Sequence, residues 1–279
     1  MNFKKTFKKI KTLFEKNNID ENCTNFCADV LGVGRVSIQF KKEISFFDYI
    51  KLISLAKKRL KGKPLNKLLK NQNFYGRDFY INENVLAPRG DTEFVVECAL
   101  EYIDKSHKVL DLCCGSGAIA ITIKKEKDCL VYASDVSKKA LAVSKKNAKK
   151  NEAEIQFIES DMFNNINEKD FDLIISNPPY IPTEHIKTLS VEVEKYDPLI
   201  ALDGGKDGLD FYRIIEKNLS EYLKPEGVLV LEIGYDQADG IKKLFAEYKV
   251  IIKKDYAGND RVAIISFKKV NNVRKIKKD

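Results

Sequence analysis

From Lys108 to Phe267 the chain alternates short apolar runs with longer amphipathic stretches, and this alternation limits the fold more than any other feature. Val109–Leu112, Leu130–Ser134, Ile155–Ile158 and Phe171–Ser176 are too short for stable helices and read as strands. Ala118–Lys127 and Lys138–Lys150 carry helical patterning between them. A helix over Asp210–Leu223, a strand over Gly227–Ile233, a helix over Ala238–Tyr248 and strands over Val250–Lys254 and Val262–Phe267 complete the series. Repeated strand–helix–strand units predict an α/β fold with a mostly parallel sheet covered on both faces.

The region before this alternation reads differently. Phe3, Phe7, Ile10, Leu13 and Phe14 recur at helical spacing among lysines. Cys23, Phe26, Cys27, Val30 and Leu31 form a second stripe, stopped by Gly32 and Gly34. Ser45 is a natural N-cap for a third helix with its apolar stripe on Phe46, Tyr49, Ile50, Ile53 and Ala56. Gly62 and Pro64 break the pattern, and Phe74 to Ile81 then predict a β-hairpin with Gly76 in its turn. Asp91 is expected to cap the following helix. These signals divide the chain into a small helical domain over residues 1–70, a hairpin linker over 71–90 and an α/β domain over 91–279. The Lys-rich end from Lys268 is expected to fray.

Composition removes several function classes. The chain has 279 residues, 44% apolar and 32% charged, with a net charge of +8, a normal soluble balance that tolerates nucleic-acid contact without demanding it. The six cysteines contain no C-x-x-C pair, and His107 and His185 stand far from any cysteine pair, so no metal site is expected and the thiols read as reduced. Cys23 and Cys27, one helical turn apart, read as core residues. No apolar run reaches the roughly 18 residues of a membrane span, and the basic N-terminus lacks the apolar core of a secretory signal. A cytoplasmic location and no membrane partner are the expectation.

Two constellations carry chemistry. Asp111-Leu112-Cys113-Cys114-Gly115-Ser116-Gly117 joins the first strand of the series to its first helix, the context of a nucleotide-cofactor turn. Asp135 stands at the second strand tip, where a carboxylate can accept two hydrogen bonds from a ribose diol. Asp161 follows the third strand and suits an adenine amino group, with Met162 placed to pack on the ring. The absence of a full G-x-G-x-x-G disfavours a nicotinamide dinucleotide, and no G-K-[ST] follows to make a phosphate loop. A packing turn with two ordinary loop carboxylates is the plainer alternative.

The second constellation is Asn177-Pro178-Pro179-Tyr180, directly after the fourth strand. Two prolines fix φ and remove two N–H donors, leaving a stiff loop whose carbonyls have no local donors. The Asn177 side-chain oxygen and the Pro178 carbonyl can grip the two N–H groups of a planar amide or amino nitrogen, while Tyr180 holds its face. Such a nitrogen is a poor nucleophile, so catalysis rests on positioning and preorganised acceptors rather than on a strong base. A rigid strand-ending turn is the bland alternative.

Together these residues resemble the class I S-adenosylmethionine-dependent methyltransferases, and more narrowly the HemK/PrmC family. The likeness runs through Phe74-Tyr75-Gly76, Val85 to Arg89, Asp111 to Gly117, Asn177 to Pro182, Asp197-Pro198-Leu199 with Ala201-Leu202 and Gly208, Leu231-Glu232-Ile233-Gly234, and Asp255-Tyr256 with Asn259, Arg261 and Val262. It departs at Cys113, where many relatives have glycine, and at Gly90, where proline is usual. The resemblance implies a Rossmann-like seven-stranded sheet and methyl transfer from S-adenosylmethionine to the glutamine side-chain amide in the Gly-Gly-Gln loop of class I peptide chain release factors. It implies cofactor contacts from Cys113, Cys114, Gly115, Ser116, Gly117, Asp135, Met162 and Asn177, to which the strand-tip reading adds Asp161. Substrate binding falls to Asn177, Pro178, Pro179 and Tyr180, with Asn177, Pro178 and Tyr180 catalytic. The helical domain becomes the release-factor docking surface, Arg89 pins the junction between domains, and the protein is expected to be monomeric without direct nucleic-acid binding. A DNA or RNA adenine-amino methyltransferase shares the N-P-P-Y loop and is the main alternative; a binding-only protein that has lost catalysis is the other.

Overall fold

A computed structural model of the chain describes residues 1–268, so the expected frayed tail lies outside the described residues apart from Lys268 itself. The chain divides into two compact units, Met1–Asn71 with Leu189–Tyr196, and Gln72–Thr188 with the residues from Asp197 onward.

The first unit is helical. Helix α1, Phe3–Lys16, starts where the Asn2 side chain accepts the Lys5 N–H, and it buries Phe3, Ile10 and Phe14. Helix α2, Cys23–Leu31, is capped by Asn22 and ends at Gly32 with φ 64°. Cys23 and Cys27 are core residues, as their spacing suggests. Helix α3, Phe46–Arg59, opens with reciprocal Ser45 and Asp48 bonds to backbone N–H groups, which fixes its first turn. Its apolar stripe differs from the sequence expectation. The buried face carries Leu52, Ala56 and Arg59, while Phe46 and Ile50 are exposed. Tyr49, Ile53 and Ala56 of the expected stripe pack in or against the core together with Leu52, so the packed face is shifted toward Leu52 and away from Phe46 and Ile50. Helix α4 is the short Leu65–Leu69. Arg59 is 6% exposed, and its guanidinium pairs with Glu21 at 2.8 Å and with Glu192. Glu192 lies on the short helix α8, Val191–Tyr196, and Tyr196 adds a hydroxyl bond to the Lys61 carbonyl. These polar ties bind a segment distant in sequence into the helical unit.

The second unit opens with the expected hairpin. Strands β1, Asn71–Phe74, and β2, Arg77–Tyr80, flank Tyr75 and Gly76, whose φ angles of 50° and 73° match a tight two-residue hairpin turn. Helix α5, Gly90–Leu100, has no side-chain cap among the described residues. Asp91 lies inside its first turn and pairs with Arg261 instead of capping the helix.

Strands β3 (Lys108–Leu112), β4 (Leu130–Asp135), β5 (Gln156–Glu159), β6 (Phe171–Ser176), β7 (Leu223–Glu232), β8 (Tyr248–Lys254) and β9 (Asp260–Phe267) form one seven-stranded sheet in the order β5-β4-β3-β6-β7-β9-β8. Pairings are parallel except those of β9, which runs antiparallel to β7 and β8. Helices α6 (Ala118–Lys127), α7 (Lys138–Lys150), α9 (Asp210–Tyr222) and α10 (Ala238–Leu244) complete the unit. Val109, Leu173, Ile175 and Val230 face a core shared with α5, α6 and α7, while Leu110, Ile174, Leu229 and Leu231 face one shared with α9 and α10. The strict alternation is what a sheet buried on both faces requires. Strand β7 starts at Leu223 rather than Gly227 because Leu223 already pairs with Phe171. Helix α10 stops at Leu244, and Tyr248 joins the sheet opposite Phe267.

Strand order reverses beside β3, whose neighbours are β4 on one side and β6 on the other. Ligands in such sheets sit at the strand C-termini where the order reverses. Leu112 and Ser176 are paired in register there, and the Ser176 hydroxyl donates to the Leu112 carbonyl at 2.6 Å. The glycine turn and the N-P-P-Y loop therefore leave adjacent strand tips.

The α3 phase yields a test by equilibrium unfolding. Leu52→Ala is expected to destabilise the protein by about 2–5 kcal/mol, whereas Phe47→Ala, at a side chain 83% exposed, changes stability by less than about 0.5 kcal/mol.

Candidate functional site

A cleft at these strand tips, lying wholly within the second unit, is lined by Cys113, Cys114, Gly115, Ser116, Asp135, Asp161, Met162, Asn177 and Pro179. Gly117, Pro178 and Tyr180 do not line it. Its walls also include Leu112, Ile119, Ser134, Ile200 and Phe211, with Arg89 and Thr92 from the start of the α5 region. Arg89 stands in this cleft and pairs with Asp197 at 3.4 Å, within the same unit.

The turn after β3 is held from three directions. Asp135 accepts the Gly115 N–H at 2.9 Å and the Ser137 N–H at 2.8 Å, one on each carboxylate oxygen. Each oxygen keeps a further lone pair, so Asp135 remains an acceptor toward the cleft. Burial raises its pKa and these two N–H bonds oppose the shift. Ser144 on α7 donates to the Gly115 carbonyl at 2.7 Å. Asn147, fully buried one turn later, donates to the Ser116 carbonyl at 2.9 Å and both donates to and accepts from Tyr80 of the hairpin. Ser144 and Asn147 escaped the sequence reading because polar residues inside a Lys-rich helix look solvated. Their signal was position: both fall on the Leu141–Ala148 apolar face.

Cys113 adopts φ 65°, a left-handed conformation that glycine takes without strain. Its thiol lies 3.7 Å from the Met162 sulfur, and Met162, itself at φ 48°, is buried at the cleft wall. Burial pushes the Cys113 and Cys114 thiols up, which keeps them protonated and unreactive. Asp161 is exposed at the rim.

At the neighbouring tip, Pro178 and Pro179 are buried and Asn177 is half-buried. The Asn177 Nδ2 lies 3.4 Å from the Thr92 hydroxyl. Thr92 in turn donates to Glu232 at 2.7 Å. Tyr180 packs against the core on the α9 side, and burial pushes its phenol up to about 12, so it stays protonated. Its carbonyl accepts from Gln237 Nε2 at 3.0 Å. Ile181 exchanges backbone bonds with Leu202 and Gly204. A Cβ on Gly204 would stand 2.7 Å from the Tyr180 Cα, and one on Gly208 would stand 2.4 Å from the Tyr180 carbonyl oxygen. The N-P-P-Y backbone is thus clamped by a second loop that only glycine lets approach so closely. Gly204, Gly208 and Gln237 are invisible as a set in the sequence, because their partner is backbone some 24 to 57 residues away.

Asp111, at 0% exposure, closes the rear of the turn. One oxygen accepts the Ala120 N–H at 3.0 Å, and the other has no partner among the described residues. Burial pushes its pKa up to about 8, against the ordinary 3.8, and Asp135 adds to the shift. Among the described residues no cluster of three or more His, Cys, Asp or Glu could hold a metal ion, and no helix is long and apolar enough to cross a membrane.

Two predictions follow from this wiring. Asn147→Asp puts an acceptor against the Ser116 and Tyr80 carbonyls and is expected to cost about 2–4 kcal/mol, read by urea unfolding. A raised carboxylate stabilises the fold below its unfolded pKa and loses that contribution as pH rises through the folded value. Thermal unfolding of the native protein is therefore expected to fall relative to Asp111→Asn between pH 5 and 8, with a slope of at most about 1.4 kcal/mol per pH unit. Parallel curves would remove Asp111 as the cause.

Comparison with known proteins agrees with this architecture. A family model described as the methyltransferase small domain matches residues 90–193. The release factor glutamine methyltransferase of Geobacter sulfurreducens is 40% identical over 219 residues, 77% of each chain. That of Fusobacterium nucleatum subsp. nucleatum is 41% identical over 252 residues, 85% of this chain and 70% of the relative. Among solved structures, a methyltransferase from Pyrococcus furiosus superposes with a TM-score of 0.55 at 19% identity, over 78% of this chain and all of the other, a likeness of fold. Such identity, sustained over more than two thirds of both sequences, places the chain in the release factor glutamine methyltransferase family.

Proposed function

We propose that this protein transfers a methyl group from S-adenosylmethionine to the side-chain amide nitrogen of the glutamine in the Gly-Gly-Gln motif of class I peptide chain release factors. The observation that carries the proposal is the shared cleft: the glycine turn, Asp135 and Asp161 line the same cavity as Asn177 and Pro179. The names of the relatives at 40–41% identity support the choice of acceptor.

The residues present fit the cofactor. Space is open where a Cβ on Gly115 would stand, and the buried Ser134 hydroxyl in the cleft wall has no partner among the described residues. Apolar surface from Leu112, Ile119 and Met162 flanks the two carboxylates. Cys113, Cys114, Gly115, Ser116, Asp135, Asp161 and Met162 would hold the nucleoside and amino-acid parts, with Gly117 setting the start of α6. S-adenosylmethionine supplies an electrophilic methyl group on a sulfonium.

The chain's own work lies at the corner. Asn177 Oδ1 and the Pro178 carbonyl accept the two N–H groups of the glutamine amide, fix its plane and favour the positive charge that develops on nitrogen. The proline pair keeps those acceptors from relaxing. Tyr180, held protonated, is structured by its core packing and by Gln237. It serves the corner as a rigid wall, with its phenol carrying no charge near neutrality. No strong base is required before transfer, because the nitrogen becomes acidic once methylated and its proton passes to water. The helical unit is the proposed docking surface for the release factor.

Incubation with labelled S-adenosylmethionine and either a release factor or nucleic acid tests the reading. Label is expected on the Gly-Gly-Gln glutamine, and Asn177→Ala is expected to lower the rate by about 100-fold or more while retaining the native circular dichroism spectrum. Label on nucleic acid alone would contradict it and favour an adenine-amino acceptor.

A further inference from the structure

We propose that Thr92 and Glu232 are positioning residues that fix the orientation of the Asn177 amide, turning its oxygen rather than its NH2 toward the substrate nitrogen. The inference rests on the corner chemistry proposed above and assigns work to a buried carboxylate that this chemistry otherwise leaves unused.

Hydrogen-bond polarity fixes the amide. Glu232 ends β7 and is 2% exposed; Thr92, in the first turn of α5, is 4% exposed and lines the cleft. An ionised carboxylate only accepts, so the 2.7 Å contact commits the single Thr92 hydroxyl hydrogen to Glu232. Thr92 Oγ1 then has only lone pairs to offer Asn177. The group it faces at 3.4 Å must be the amide NH2, and Asn177 Oδ1 is left at the opposite end of the planar amide. A substrate amide presenting N–H donors needs an acceptor there, and a reversed Asn177 would oppose donor to donor.

The surroundings make this arrangement sensitive to pH. Burial raises the Glu232 pKa to about 7, opposed by the Thr92 bond and by Arg261 and Arg89, while Asp91 adds to the rise. Arg261, on β9, is itself paired with Asp255 at 3.2 Å and Asp91 at 3.4 Å. The Tyr180 phenol from the N-P-P-Y corner stays protonated and neutral. From α9, Tyr212 donates its hydroxyl to the Glu232 backbone carbonyl and not to its carboxylate. When Glu232 takes up a proton it donates to Thr92 Oγ1, the Thr92 hydrogen is released toward Asn177, and the amide oxygen is drawn inward. Methyl transfer should then fade as pH falls through this range.

Thr92→Val removes the hydroxyl at nearly constant shape, and Thr92→Ser restores it. With a release factor as substrate, Thr92→Val is expected to lower kcat at least tenfold, with KM for the release factor changed less than threefold. Thr92→Ser should recover to within threefold of the native protein. In the cofactor-free protein, hydrogen exchange of the Asn177 side-chain NH2, followed by nitrogen-15 NMR, is expected to be several-fold faster in Thr92→Val and near native in Thr92→Ser. The native kcat should show an acid limb near pH 7 that Glu232→Gln lacks. A Thr92→Val enzyme with native kcat, a Thr92→Ser enzyme as slow as Thr92→Val, unchanged NH2 exchange, or an acid limb that survives Glu232→Gln would each overturn the assignment. Failure of the substrate reading is distinct: the native protein itself would then leave the release factor unlabelled, while the exchange measurement still decides the relay.

Discussion

The parallel pairing of β3 with β6 is the constraint on which the rest depends. It brings Leu112 and Ser176 into register, so the loops that follow them emerge side by side. One loop carries the glycines and the other the prolines, and the proposed function gives the first the approach to a ligand and the second the fixed acceptors. Their juxtaposition follows from a chain that crosses to β4 and β5 on one side before returning to β6 on the other. A ladder of backbone bonds at the sheet centre, buried on both faces, is among the least deformable parts of a protein, which suits a reaction governed by alignment.

Rigidity at the corner is then reinforced from outside the motif. Gly204 and Gly208 let a second loop press on the Tyr180 backbone, and Gln237 ties that loop to the corner with bonds to both the Tyr180 and Gly208 carbonyls. On the opposite side Ser144 and Asn147 hold the glycine turn from α7. Buried polar groups of this kind are stabilising only when fully paired. Burial raises the carboxylates of Asp111, which has one oxygen without a partner among the described residues, of Asp135 and of Glu232.

Much of this is legible in the sequence. The bounds of α6, α7 and β6 follow directly from apolar periodicity, because each is a central element whose buried face leaves a strong pattern. The paired motifs and their place at strand tips were readable because glycine and proline act through their own backbone geometry. The α3 stripe is legible only in part: Tyr49, Ile53 and Ala56 pack, but Phe46 and Ile50 are apolar yet exposed, because hydrophobicity alone cannot set the phase of a short amphipathic helix. Asp91 looked like a cap, but its partner Arg261 lies 170 residues away, beyond the reach of local rules. A separation of 140 residues likewise hides the contact of Thr92 with Glu232.

The central claim is that a stiff acceptor-rich corner seats an unreactive amide beside the glycine-turn cleft. A crystal structure with S-adenosylhomocysteine and a peptide containing Gly-Gly-Gln tests it most directly. The account predicts the glutamine Nε2 within hydrogen-bonding distance of both Asn177 Oδ1 and the Pro178 carbonyl oxygen, facing the cofactor sulfur. A glutamine amide held elsewhere, or one contacted by the Asn177 NH2 rather than its oxygen, would contradict it.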